Sequence, residues 1–364
     1  MNKLPQNVVK FAGEQQKVYV QFQDYFAHYM DETQNRNIGI YDKSVSFANK
    51  EQKMHEALVT EVKRHSGVNF SSEIPVQQWA NNPMVTWATF AVVSNLIDAI
   101  IPQTINKSLG LYTEIRNIGY GDTALFDVKP KSLFVVSKGG NAQRMGLVNK
   151  QFGTTETLIP ENHIITVGVS LYKVLSGKES LAEFTRKAIL SIEHEMSLDA
   201  YRALTTGLDT AVVPTDLKVT GYTQNDLVTL CERVTAYNNG AKAVIVGSTN
   251  ALANILPNQA NGYRILTQGN NMSIQLIKTF FDYDILRIPQ FAKVNDNFKL
   301  ALDDTKLYVM SPSSDKLIKG VIEGSTLSHV DGTYDNANLT QDATFTKRWV
   351  FGFLTNAIAG VMTV

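Results

Sequence analysis

From Ser180 to Gly207, apolar side chains recur every three or four residues: Leu181, Phe184, Ala188, Ile192, Met196, Ala200 and Leu204. That spacing puts them on one helical stripe about 100° wide. Arg186, Lys187, Glu193 and Arg202 fall on the other side. Ser180 followed by Glu183 forms a capping box, in which the serine oxygen accepts from the third helical N–H. Gly207 supplies the stop. A helix over 180–206 runs roughly 40 Å at 1.5 Å per residue, which is long for a compact domain and suits a strut.

Upstream, the stretch 1–66 is polar and Gln/Asn-rich. Val18, Phe22, Tyr25, Phe26 and Tyr29 nevertheless fit one helix face, which predicts a helical arm. Ala80-Asn81-Asn82-Pro83 reads as a hinge, and the apolar helix over 86–101 behind it is expected to stop at Pro102, because proline disfavours helix in the residue before it. Between 111 and 175 the period changes to two. Leu125, Asp127 and Lys129 alternate with Phe126, Val128 and Pro130, Ser132 to Val136 follows, Gly139-Gly140-Asn141 marks a turn, and His163 to Leu171 returns as a strand. Together they predict an extended hairpin, marginal on its own and in need of a partner surface.

Downstream, Thr223 to Asn239 is a second amphipathic helix, carrying Leu227, Leu230, Val234 and Tyr237 and closed by Gly240. Ala243 to Gly247 is a short buried strand, and Thr249 caps a helix that Pro257 ends. A helix at 272–281, a strand at Ile285–Ile288 and a hairpin from Phe298 to Met310 through Asp303-Asp304 complete a mixed unit. Leu317–Glu323, Ala343–Phe353 and Ile358–Val364 read as closing strands. No internal repeat stands out.

Composition narrows the function classes. Of 364 residues, 44% are hydrophobic and the charges balance at 34 Lys+Arg against 34 Asp+Glu, which excludes a disordered chain. The balance is also local: 1–66 is close to neutral, and so is the strut. No segment is a strong polycation, so contact with nucleic acid is expected to be weak and non-specific. Trp87 to Ile101, the most apolar stretch, is interrupted by Ser94, Asn95 and Asp98 and reads as a buried helix rather than a membrane span. The N-terminal residues carry no secretory signal.

Catalytic motifs fail one by one. Gly177-Lys178 has Tyr172 and Glu179 where a phosphate loop needs glycine and a hydroxyl. Gly119 and Gly121 lack the third glycine of a dinucleotide turn, since Ala124 stands there. His194-Glu195 is followed by Leu198 where a zinc protease has its second histidine. The lone Cys231, beside Leu230, reads as a packing cysteine. Glu193, Glu195 and Asp199 read as a solvated or salt-bridging helix face, although paired carboxylates for acid/base or metal work are the sharper alternative. Neither a cofactor nor a metal site is predicted, and the chain is not expected to be an enzyme.

The order of parts then becomes informative: helical N-terminal segment, long two-stranded loop, capped strut, mixed unit, returning strands. Over roughly 110–364 this resembles the major capsid proteins of tailed bacteriophages, with the Hong Kong 97-like fold. Within it, Ala243 to Gly247, Ile285-Leu286-Arg287-Ile288-Pro289, and Thr346 to Phe353 followed by Ala357–Val364 are similar to family segments. The resemblance implies an α+β chain with an N-terminal helical arm at 1–110 and an extended loop at 111–175. A peripheral domain from 176–220 and 318–364 contains the spine helix, and an axial domain spans 221–317. It also implies self-assembly into hexamers and pentamers, an icosahedral shell around double-stranded DNA, and scaffolding, portal and decoration proteins as partners. The virion is the implied location, after assembly in the host cytoplasm. Phe22, Phe26, Lys138, Arg144, Lys150, Arg186, Arg202 and Asp303 are the candidate inter-subunit contacts. A nanocompartment shell of the encapsulin kind shares the implied fold, and an enzyme using the Glu193/Glu195 face is the alternative from another class.

Overall fold

A computed structural model of the chain describes residues 16–70, 74–110, 113–128, 153–209, 213–255, 279–288, 290, 299–300, 302–312, 315–330 and 341–364. It begins with four helices: α1 (Gln16–Gln34), α2 (Phe47–Ser66), α3 (Val76–Ala80) and α4 (Pro83–Leu109). Asn82 caps α4, its Oδ1 accepting the Met84 N–H at 2.9 Å, while Pro83 occupies the first turn, where its missing N–H costs nothing.

Two expectations fail here. The helix does not stop at Pro102 but carries the proline inside it to Leu109. Ile100, Ile101 and Ile105 around the proline are all buried, so tertiary packing holds the turn that local propensity disfavours. Nor is the N-terminal helical stretch an arm. Phe22, Tyr25, Phe26 and Met30 are fully buried, α1 packs on α2, and α2 packs on α4, which makes 16–110 part of the main core.

Strands follow: β1 (Thr113–Ile118), β2 (Ala124–Val128), β3 (Thr154–Leu158) and β4 (Glu161–Val169). A short α5 (Leu171–Leu175) leads into α6 (Leu181–Asp209), the predicted strut, whose 29 residues give a length of about 44 Å. Ser180 Oγ accepts the Glu183 N–H at 3.2 Å, as the capping box requires, but the Glu183 carboxylate turns to Lys187 at 2.8 Å. Gly207 does not end the helix. A Cβ at that position would overlap the ring of Phe353, so the glycine lets α6 lie close against a strand. Gly207→Ala is therefore expected to lower stability by about 1–3 kcal/mol through overpacking, whereas helix propensity alone predicts a gain of about 1 kcal/mol. A urea titration of the variant decides the sign.

The remaining elements are β5 (Lys218–Thr220), α7 (Gln224–Tyr237), β6 (Val244–Gly247), α8 (Thr249–Ala253), β7 (Thr279–Phe280), β8 (Tyr283–Arg287), β9 (Lys306–Met310), β10 (Ile318–Val330), β11 (Gln341–Phe353) and β12 (Gly360–Thr363). Thr223 caps α7, and Ser248 rather than Thr249 caps α8. Residues 279–281 are strand and turn, not helix, and 272–278 lie outside the described residues. β9 pairs with β6 and β12 instead of folding back on a strand from Phe298, which also lies outside them.

Two main sheets result. One has the order β1-β10-β11-β4, and the other β5-β12-β9-β6-β8-β7. The hairpin expected over 111–175 is divided between structures. β1 pairs in parallel with β10, β4 pairs with β11, and among the described residues β2 and β3 form a two-stranded ribbon. β4 joins the sheet because Ile165 and Val167 pack on the core. The second sheet likewise draws β5 and β12 from outside 221–317. The chain passes between the sheets from β9 to β10 and again from β11 to β12. Asp315 ties these crossings, accepting from Lys319 Nζ at 2.7 Å, Thr355 Oγ1 at 3.1 Å and the Asn356 N–H at 3.2 Å. Burial would raise its carboxyl, but these bonds hold it below the usual range.

Candidate assembly surface

The four-stranded sheet has two unlike faces. Its inner face packs on α4 and α6 through Ala343, Phe345 and Trp349, with Phe345 edge-on to Phe90 at 5.9 Å. Between Glu323 and Leu327 the register shifts by a bulge, and Thr326 beside it faces the core. There Asp98 of α4, wholly buried, accepts the Thr326 N–H at 2.8 Å, the Thr326 hydroxyl at 2.6 Å and Lys347 Nζ at 2.5 Å. Lys347 is 3% exposed. This pair pins the apolar helix to the two long strands with its charges out of water.

The outer face is divided. At one end the ribbon sits on it: Ala124, Phe126 and Leu158 pack over Val321 and Val350. The Arg116 guanidinium lies 4.3 Å from the Phe126 ring centre and donates to the Leu125 carbonyl, and the Gly121 N–H donates to Glu323 at 2.7 Å. At the other end no described element lies on the face. Ile164, Thr346 and Leu327 stand directly opposite one another on three adjacent strands. Ile164 is 65% exposed and Leu327 57%. The Thr166–Thr344 hydroxyl bond at 3.2 Å continues the same face. A half-covered sheet face carrying exposed aliphatic side chains is the pattern of a surface awaiting a partner.

The predicted contact residues fall into three groups. Phe22 and Phe26 lie inside the chain's own core, which leaves no surface of theirs for a neighbour. Arg186 is 8% exposed and internal too. Its guanidinium lies 4.2 Å from the Tyr29 ring centre, donates to Tyr25 Oη at 2.5 Å and pairs with Glu51, fastening α6 to α1 and α2. Burial raises the Tyr25 phenol, so it stays protonated. Arg202 is on the surface, paired with Asp199 at 3.1 Å and Glu195 at 3.4 Å. Asp303 is partly exposed. Its N–H donates to Tyr201 Oη, and its carboxylate accepts from Thr305 at the turn before β9. Lys138, Arg144 and Lys150 lie outside the described residues.

The carboxylate cluster on α6 is split as well. Glu193 is buried and pairs with Arg36 at 2.6 Å, so it is salt-bridging rather than solvated. Asp199 accepts from Trp349 Nε1 at 3.0 Å and lies 3.3 Å from His163, whose ring stacks on Trp349. Every acid of the set thus has a structural partner. Among the described residues no group of three or more His, Cys, Asp or Glu could hold a metal ion. Cys231 is buried, and burial pushes its thiol up to about 12, as suits a packing residue. The stretch Pro83–Ile105 is long and apolar enough to cross a membrane, but 78% of its most apolar window is buried inside the protein.

What sequence reading missed was Ile164 and Leu327. Their signal was a break in alternation: β4 turns the half-buried Ile165 and Val167 to the core, so its opposite face should be polar, yet Ile164 stands there with Thr166. Asp98 carried a signal too, as a lone acid in an apolar helix, which needs a cation from elsewhere in the chain.

No curated protein matches the chain. Among solved structures it is similar to the mature capsid of bacteriophage PhiM1, with 10% identity, 69% of this chain and 85% of that one covered, and a TM-score of 0.47. The capsid of cyanophage P-SCSP1u has 10% identity, coverage of 70% and 86%, and a TM-score of 0.47. A virus-like particle from Pyrococcus furiosus has 10% identity, coverage of 72% and 95%, and a TM-score of 0.44. Assignment rests instead on a family model described as "SPbeta prophage-derived putative capsid protein YonB", which matches residues 29–363. A match over nearly the whole length places this chain in the YonB family, as a capsid shell protein.

Proposed function

We propose that this chain is the major capsid subunit of a phage head of Hong Kong 97-like architecture, and that hexamers and pentamers of it close an icosahedral shell around double-stranded DNA. The observation that carries the reading is the divided outer face, with a ribbon rooted on one half and a bare aliphatic row on the other. A neighbour's ribbon laid on the bare half would cover Ile164 and Leu327 much as Phe126 covers Val321 here. In this reading β1-β10-β11-β4 with α4 and α6 is the peripheral body. The second sheet with α7 is the axial body near the ring centres, and the segment between β2 and β3 is the extended loop. Arg202 and Asp303, with Lys138, Arg144 and Lys150 of the loop, are contacts offered to other copies.

The role is structural rather than catalytic. Scaffolding, portal and decoration proteins are further partners, and contact with DNA is weak and non-specific. Assembly takes place in the host cytoplasm, and the product is the virion shell. Deleting residues 139–150, which leaves both β2 and β3 in place, tests the loop assignment. Sedimentation of the purified variant is expected to show folded chains without shells, and shells of wild-type yield would refute it.

A further inference from the structure

His55, on α2, accepts the Leu181 N–H through its Nδ1 at 3.0 Å. Leu181 is the first residue of α6, so its N–H is one of those the helix cannot satisfy internally. The bond joins α2 to the start of the strut across 126 residues of sequence. It differs from the surroundings of other histidines. His28, His65 and His163 each lie beside a carboxylate, Glu32, Glu61 and Asp199 respectively. At His55 the proton would occupy the accepting nitrogen. An imidazolium has two donors and no acceptor, so it would face a backbone N–H at the positive end of a helix.

The charged groups around it do not offset this. Glu51 and Glu56 stand near it on α2, Lys178 and Glu179 on the loop before α6, and Glu183 and Lys187 on α6. Of the acids, Glu51 pairs with Arg186, Glu179 with Lys173 and Glu183 with Lys187. Burial, the larger influence, lowers the His55 pKa from its ordinary value, against the pull of Glu56 and Glu51.

We propose that His55 is an acid-released latch: its neutral imidazole holds α2 to the first turn of α6, and protonation releases that hold. The folded value lies below the unfolded one, so the unfolded chain binds the extra proton first. The latch contributes in full above the unfolded value near 6.5 and is lost as pH falls through that value towards the folded one.

Amide hydrogen exchange on the full chain, corrected for intrinsic rates and resolved at Leu181, tests it between about pH 7.5 and about pH 5.5. Protection at Leu181 is expected to fall about tenfold on acidification while amides around Met196 hold. His55→Asn, which keeps an oxygen acceptor near the Nδ1 position but cannot titrate, is expected to remove the pH dependence. Unchanged protection in the wild type, or an equal fall in His55→Asn, would overturn the proposal. Exchange at the His55 ring carbon gives an independent reading on the unmodified protein: a titration midpoint below 6.5 supports the latch, and one at or above it refutes it.

Discussion

Replacing Asp98 by alanine is expected to cost about 3–5 kcal/mol, a large fraction of the about 5–15 kcal/mol that holds a protein folded. The substitution strips Lys347 of the carboxylate it pairs with while leaving it buried among α4, β10 and β11, and it takes the acceptor from the N–H and hydroxyl of Thr326. Much of that cost is the penalty of an uncompensated charge rather than the value of the pair itself. The double variant Asp98→Leu/Lys347→Met should therefore recover the part due to the unpaired lysine but not the part due to Thr326, whose N–H and hydroxyl stay without the carboxylate. Urea denaturation of the three proteins measures both effects. A loss below about 1 kcal/mol in Asp98→Ala would mean that Lys347 reaches water and that α4 is not sealed as described.

Aspartate at both Ile164 and Leu327 is expected to leave the single chain folded and to abolish assembly. Both side chains are largely in water already, so circular dichroism and the melting temperature should match the wild type. In the proposed shell a neighbouring copy buries them. Each aliphatic side chain contributes about 1.5–3 kcal/mol on leaving water, and a carboxylate in its place must be desolvated without a cation. Two such losses per subunit should raise the concentration needed for assembly by about a hundredfold or more. Light scattering over a concentration series reads this directly, and shells at the wild-type threshold would remove the bare sheet face from the interface.

The strut was legible because its apolar period persists for seven turns and its cap is local. The same holds for α7, whose Thr223 cap and closing Gly240 are sequence neighbours. What was misread depended on distant contacts. Gly207 resembles a helix stop when only its neighbours are considered, but its small size answers Phe353, at the far end of β11. Pro102 resembles a terminator until the whole of α4 packs against α2, α6 and β10, with the isoleucines around the proline buried. Phe22 and Phe26 looked like latches for other subunits because their helix is polar elsewhere. The partner they bury against lies within the chain. The two strands flanking the ribbon, β1 and β4, were assigned to it because sequence proximity favours hairpin pairing, whereas their actual partners, β10 and β11, come from the last fifty residues. The bare face escaped notice for a related reason: a strand's outward side is known only after its sheet is assembled.

Electron microscopy of the purified full chain tests the central claim most directly. A shell subunit is expected to give closed particles of uniform diameter, with five-fold and six-fold rings of one chain and density from one copy lying over Ile164 and Leu327 of the next. Discrete small oligomers at every concentration and salt condition, with that sheet face uncovered, would contradict it.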